Sequence, residues 1–182
     1  YNNKLNIMTK SRSEEPLVYI EMGENRALGR NTAPAEAQAV ADYVAGHRDE
    51  KIGVITPFVN QKEYLEEILK ERGFTDVTCG TVHAFQGDEK DIILFSTALT
   101  DQSYRGTYQW LKNNKELINV ATSRARSQLV ILGSVRNMER LRDPDERDDL
   151  FELVEYARTK GVSKVTPKEV ASRALGVKPY SS

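Results

Sequence analysis

Cysteine is nearly absent from this chain. Its 182 residues include one, Cys79, with two histidines, His47 and His83, and a single tryptophan. One cysteine excludes a disulfide scaffold and any cysteine-based zinc cluster, and two histidines are too few for a histidine-rich metal site. Long apolar runs are missing too. The longest, such as Ile92–Phe95, have four residues, against the ~20 needed to cross a bilayer. With no apolar leader at the start, the expectation is an intracellular protein with no membrane partner. Nor does charge of one sign dominate: 26 basic residues face 27 acidic ones. That balance argues against a histone-like binder and leaves room for a local basic groove. Two motifs are absent as well. Without a Gly-x-Ser-x-Gly elbow the chain does not read as an α/β-hydrolase. Without Gly-x-x-x-x-Gly-Lys-[Ser/Thr] it cannot cradle a nucleoside triphosphate in P-loop fashion by itself. The chain opens Tyr1-Asn2-Asn3-Lys4-Leu5 and its first methionine is Met8, which reads as a piece of something longer.

What is present reads as a folded domain. Apolar residues make up 39% and charged ones 29%, too apolar for disorder. The length suits a single core that buries roughly 70% of the unfolded surface. Leu17–Ile20, Ile52–Thr56, Val77–Val82, Ile92–Thr97 and Leu129–Gly133 read as strands, mostly apolar without polar alternation. Between them, Thr32 and Pro34 open a helix with Ala37, Val40, Ala41 and Val44 on one face. Asn60 and Glu63 suggest a capping box for the next, with Gly73 as its stop. Leu117, Ile118 and Ala121 suit a third helix. Continuous apolar strands separated by helices predict an α/β fold, a doubly wound parallel sheet covered on both faces. After Gly133 the pattern turns helical, over Asp148–Lys160 and again from Thr166-Pro167-Lys168-Glu169 through Val170, Ala174 and Leu175. The charge-dense stretch from Arg140 to Asp149 reads as a solvated linker.

In an open parallel sheet, ligands gather beyond the carboxyl ends of the strands. Three polar segments are expected there: Thr56–Gln61, Thr81–Asp91 and Asn119–Arg126. Each has a bland reading beside the functional one. Gly87 lets a phosphate approach the backbone and Glu89 can accept from a ribose, or they are a turn glycine and part of a solvated charge run. Arg124 and Arg126 offer rigid donor forks to phosphate, or they merely complement a helix C-terminus. Phe58 can stack a base as an exposed ring at a strand end, or belong to the core. Thr56, Asn60 and Thr81 can donate to nucleic-acid phosphates, with Asn60 equally explained as a helix cap. His83 suits a structural role as well as a nucleic-acid contact, and Cys79 reads as an inert core thiol.

In order along the chain, these segments resemble the second RecA-like domain of superfamily 1 helicases, and most closely the superfamily 1B group that includes senataxin and the nonsense-mediated-decay helicase. Ile55-Thr56-Pro57-Phe58-x-x-Gln61 resembles that family's Thr-Pro-Tyr segment, Thr81–Asp91 its motif V, and Asn119–Arg126 its motif VI. Asn31 and Glu36-Ala37 resemble the Asn-x-x-Glu-Ala stretch that opens this domain's first helix, and Tyr1–Leu5 resembles the continuation after an upstream motif. The likeness covers residues 1–138, which reads as a motor domain, with 139–182 as a helical extension.

The resemblance implies ATP with Mg²⁺, held mainly by a missing N-terminal RecA-like domain of the same parent chain. It makes Arg124 the arginine finger, and places Gly87, Glu89, Gln86 and Arg126 at the nucleotide. Thr56, Pro57, Phe58, Asn60, Thr81 and His83 would line a track for single-stranded DNA or RNA. Phe58 stands where the family more often has tyrosine, His83 where it often has aspartate, and Ser123 where threonine is usual. The competing reading is a non-catalytic nucleic-acid-binding or interaction module that keeps a degenerate motor fold. A third is a free-standing nucleotide-binding domain.

Overall fold

The computed structural model describes residues 14–85 and 87–166. In chain order its elements are β1 (Leu17–Glu21), α1 (Pro34–Ala45), β2 (Ile52–Ile55), α2 (Val59–Glu71), β3 (Thr78–Gly80), a 3₁₀ turn (Val82–Phe85) and β4 (Lys90–Ser96). There follow α3 (Arg105–Lys112), α4 (Lys115–Ser123), β5 (Ala125–Gly133), α5 (Val135–Leu141), α6 (Asp149–Lys160) and β6 (Val162–Val165). The strands form one sheet in the order β3-β2-β4-β5-β1-β6, and every neighbouring pair is parallel.

Period-two alternation sorts the strand residues between two cores. Val18, Ile20, Val54, Ile92, Leu94, Val130 and Leu132 meet Val40, Ala41 and Val44 of α1 and Leu65 and Leu69 of α2. Leu17, Tyr19, Ile55, Ile93, Phe95, Leu129 and Ile131 meet Tyr108, Leu117, Ile118, Leu153 and Val154 on the other side. Each such aliphatic side chain, removed from water, contributes about 1.5–3 kcal/mol. Burial on both faces is why these strands lack polar alternation, and the predicted doubly wound α/β sheet is what forms.

Local signals hold in part. Pro34 stands in the first turn of α1, and Gly73, with φ of 78°, follows α2 in the left-handed conformation that ends helices. Asp148 caps α6 by accepting from Phe151 N–H. The capping box at Asn60 does not form: the N-cap of α2 is Phe58, and the Asn60 amide donates instead to the Arg30 carbonyl. The strand expected from Val77 to Val82 shortens to β3 because the chain turns into the 3₁₀ segment at Val82.

The stretch from Arg140 to Asp149 is not a solvated linker. Arg140 stands in the last turn of α5 and donates to the carbonyls of Ser103, Thr100 and Asp101. Asp148 is buried and accepts from the Tyr108 hydroxyl at 2.6 Å. Helix is not all that follows Gly133 either. β6 pairs with β1 along Val18–Glu21, and Thr166 N–H donates to the Glu21 carbonyl. The helix expected from Thr166-Pro167 onward lies, past Thr166, outside the described residues.

Candidate nucleotide and nucleic-acid interface

The candidate residues divide between the two ends of the sheet. Thr56, Pro57, Phe58 and Asn60 follow β2 at its carboxyl end. The chain from Thr81 to Glu89 returns from the carboxyl end of β3 to the amino end of β4. There it meets Arg124, the C-cap of α4, immediately before β5 begins. The expectation that all three segments gather at carboxyl ends therefore fails for Gly87, Glu89, Arg124 and Arg126. A helix feeding directly into a strand delivers its last residues to that strand's start.

At the amino end, Lys90 N–H donates to the Arg124 carbonyl at 2.9 Å. Arg124 Nε donates to the Phe85 carbonyl, also at 2.9 Å, and its Nη1 lies 3.5 Å from Ser123 Oγ. Nη2 has no partner among the described residues, so one arm of the guanidinium is free while Nε fixes its plane. Gly87 beside it has φ of 75°, a conformation that costs other residues about 1–2 kcal/mol. A Cβ there would meet nothing within 4 Å, so the backbone is open to an approaching group. Glu89 is exposed. Gln86 lies outside the described residues. Arg126 stands in β5 rather than in the helix, and its Nη2 pairs with Asp91 at 3.2 Å. Lys90 is likewise occupied by Asp88. At this edge Arg124 is thus the described cation without a carboxylate, the arrangement suited to receiving a phosphate.

Phe85 owes its depth to Gly53. A Cβ on Gly53 would sit 2.5 Å from Phe85 Cε1 and 3.1 Å from Ile93 Cδ1, so only glycine leaves room for the ring under β2. Phe85 is fully buried, which anchors the carbonyl that orients Arg124.

At the carboxyl end, Thr56 is fully buried and its hydroxyl has no hydrogen-bond partner among the described residues. Pro57 is buried as well. Phe58, 8% exposed, packs with Ala33 and Ala98, so the exposed ring expected at this strand end is not there. Asn60 and His83 are exposed and Thr81 is half-buried. Cys79 is half-buried, and desolvation pushes its thiol up to about 12, in keeping with an inert side chain.

Two features had no counterpart in the sequence reading. The first is a buried polar hub beneath this end. Glu36 is fully buried and accepts from Asn25 Nδ2, Ser96 Oγ and Ala98 N–H at 2.7–2.8 Å. Gln61 Nε2 donates to Ser96 Oγ, and its carbonyl oxygen accepts from Ala33 N–H. Burial pushes the Glu36 carboxyl up to about 7, against the three donated bonds that pull it down. The hub holds Ala98 in the left-handed region, φ 55°, where a residue with a Cβ is strained. The second is Trp110 on α3, whose ring centroid lies 5.6 Å from that of Phe58 at a 32° tilt. A lone tryptophan in an otherwise polar stretch was the available signal for it.

Among the described residues, no helix is long and apolar enough to cross a membrane, and no cluster of three or more His, Cys, Asp or Glu could hold a metal ion.

Residues 2–136 match the family described as AAA domain. The chain is 32% identical over 123 residues to the DNA polymerase alpha-associated DNA helicase A of Saccharomyces cerevisiae, a match covering 64% of this chain and 18% of that one. It is 33% identical over 163 residues to the RNA helicase Mov10l1 of Mus musculus, covering 81% of this chain and 13% of the relative. It is 34% identical over 136 residues to the regulator of nonsense transcripts 1 homolog of Drosophila melanogaster, covering 66% and 11%. The chain thus corresponds to a small part of each relative. Among solved structures, the C-terminal domain of a possible DNA helicase from Lactobacillus plantarum WCFS1 superposes with a TM-score of 0.53 at 15% identity, over 91% of this chain and 93% of that one. That likeness bears on the fold.

Proposed function

This chain belongs to the AAA-domain family, as the C-terminal RecA-like domain of a superfamily 1 helicase, and on that premise we propose that it is the second motor domain of an ATP-dependent translocase on single-stranded DNA or RNA. The observation that carries the reading is the oriented, carboxylate-free Arg124 beside the open backbone of Gly87. Residues 1–138 are the motor unit in this reading and 139–182 an extension.

The residues present fit half of a nucleotide site. Bound ATP would supply the free energy of phosphoanhydride cleavage, with Mg²⁺ and most of the triphosphate held by an N-terminal RecA-like domain that carries the P-loop. Arg124 offers a guanidinium whose plane is already set, so little ordering remains when it meets a γ-phosphate and stabilises charge developing there. The Gly87 amide can approach the same phosphate, and Glu89 is free in solvent to accept from a ribose hydroxyl. Arg126 must first leave Asp91 to take part. At the other end of the sheet, Asn60, Thr81 and His83 offer polar atoms to a single strand. Domain closure around nucleotide at one end would shift the strand-binding surface at the other. The site of action is intracellular, where both nucleotide and nucleic acid are found.

The test is the ATPase rate of this chain and of the longer chain that carries a P-loop domain, each with and without a single-stranded oligonucleotide. A silent fragment beside a stimulated longer chain is expected, since half of the site is supplied elsewhere. Hydrolysis by the 182 residues alone would overturn the split-site reading. Silence from both would favour a non-catalytic binding module.

A further inference from the structure

Five large hydrophobic side chains are exposed among the described residues: Leu28, Val59, Tyr104, Trp110 and Val165. Three of them, Val59, Tyr104 and Trp110, stand on the segments that follow β2 and β4 at their carboxyl ends. Scattered apolar residues on a surface need no explanation, but a clustered patch marks a binding surface. Trp110 is 51% exposed and Tyr104 78%.

The patch has a specific place in the topology. β2 and β4 are neighbours in the sheet, yet the chain leaving β2 runs outward to β3 and the chain leaving β4 runs the opposite way to β5. The connections part here, which opens the crevice that ligands of parallel sheets occupy. A cavity of about 360 Å³ lies in it, lined by Arg30, Asn31, Phe58, Gly106, Thr107 and Trp110. An adjoining cavity of about 440 Å³ shares Arg30, Asn31 and Thr107 and reaches Tyr104. Neither lining includes a carboxylate. Arg30 has no ion-pair partner among the described residues, so the crevice holds a free cation beside exposed aromatic rings. By contrast, a cavity of about 490 Å³ elsewhere is lined by Glu14, Glu15 and Glu50 and would repel a phosphate.

The backbone around the crevice is strained. The non-glycine residues with positive φ among the described ones are Asn31, at 52°, and Ala98, at 55°. One lines the cavity and the other packs under Phe58. Such conformations persist where surrounding structure enforces them, and they cluster at binding sites.

We infer that Trp110, backed by the buried Phe58, is the platform on which a base of single-stranded nucleic acid stacks, with Arg30 meeting the adjoining phosphate. The inference rests on the nucleic-acid reading above and adds to it a base-binding subsite on α3. Phe58 acts from below: its ring fixes the tilt of Trp110, and the exposed indole face receives the base. An exposed tryptophan next to an uncompensated arginine and no carboxylate suits a ligand that alternates flat apolar rings with anions. A companion protein domain with an apolar or acidic face would not need the aromatic platform.

Trp110 is the only tryptophan, so its fluorescence reports on this subsite alone. The 182-residue chain is titrated with short oligothymidylate, oligouridylate and an abasic oligomer of equal length, with binding followed in parallel by anisotropy of the labelled oligomer. Both base-bearing oligomers should quench the emission, and the abasic one should not. Trp110→Ala should weaken binding of base-bearing oligomers by roughly tenfold, as loss of one aromatic stack does, leave the abasic oligomer unaffected, and be largely rescued by Trp110→Phe. A response to only one of the two base-bearing oligomers upholds the subsite and identifies its sugar. Binding without quenching, with Trp110→Ala as tight as wild type, overturns the subsite and leaves the nucleic-acid reading standing. Equal quenching by the abasic oligomer overturns stacking. No binding of any oligomer overturns both.

Discussion

Arg124 donates through Nε to the main-chain carbonyl of Phe85 at 2.9 Å, and this bond joins two segments 39 residues apart into one edge. Because the bond uses Nε, the guanidinium is held from its stem and Nη2 stays available. A lysine carries its donors on one nitrogen and offers no rigid planar fork whose outer arm is set by anchoring the inner one.

Arg124→Ala and Arg124→Lys, made in the longer chain, should each lower kcat for ATP hydrolysis by roughly 10³-fold or more, as loss of an arginine finger does. The Kd for single-stranded oligonucleotide should stay within about twofold, since the residue lies at the sheet end away from the crevice. Steady-state ATPase assays paired with anisotropy titrations check this. An unchanged kcat would remove Arg124 from the chemistry.

Gly53→Ala should be costly for its size. The added methyl would lie 2.5 Å from Phe85 and 3.0 Å from Lys90 Cγ, forcing the ring out of its slot. Overpacking of this kind costs about 1–3 kcal/mol, read as a lower urea midpoint of this chain. In the longer chain the displaced Phe85 carbonyl should also lower kcat, though the substituted residue touches no ligand.

Gly87→Ala separates backbone strain from steric conflict. Nothing lies within 4 Å of the new Cβ, so the loss of stability should be only the ~1–2 kcal/mol of a left-handed alanine. If the Gly87 amide meets a phosphate, the KM for ATP of the longer chain should rise well beyond what that strain explains. Urea unfolding and ATP titration of the same variant distinguish the two effects.

Glu36 should make stability depend on pH with an unusual sign. Burial raises its carboxyl from 4.5 to about 7 in the folded chain. Between those values the folded state keeps a proton that the unfolded state releases. This group's contribution is therefore full below about pH 4.5 and falls as pH rises through 7. Glu36→Gln removes the titration, so the difference in unfolding free energy between wild type and variant should shift in the variant's favour from pH 5 to pH 8. A difference independent of pH would mean that the carboxylate is ionised throughout.

Much of the fold was legible because the buried strands advertise themselves. Runs such as Ile92–Phe95 and Leu129–Leu132 have no solvent face and so no polar alternation. Helix α3 was not legible, since its inward face consists of little more than Tyr108 and Leu111. β6 was not either. Val-Ser-Lys-Val is mostly exposed and is a strand because β1 offers it a ladder, a tertiary fact that propensity does not encode. The candidate site was legible where one short segment holds the chemistry, as at Gly87 and Arg124. It was not where the chemistry is distributed: Asn25, Glu36, Gln61, Ser96 and Ala98 converge only after the sheet has formed. Phe58 shows a further limit. Its position in a motif said nothing of its burial, and the exposed ring came from α3 instead.

The place of β1 has a consequence for biosynthesis. Both its neighbours, β5 and β6, are made more than a hundred residues later, with Leu17 pairing to Leu129 and Val18 to Val162. On the ribosome, this early strand must therefore wait with both edges open while α1, β2, α2, β3 and β4 are synthesised. Assembly dominated by such distant pairings is slow. Until Val165 is made, β1 lacks the partners of both its edges, and a strand with open edges is a template for pairing with other chains.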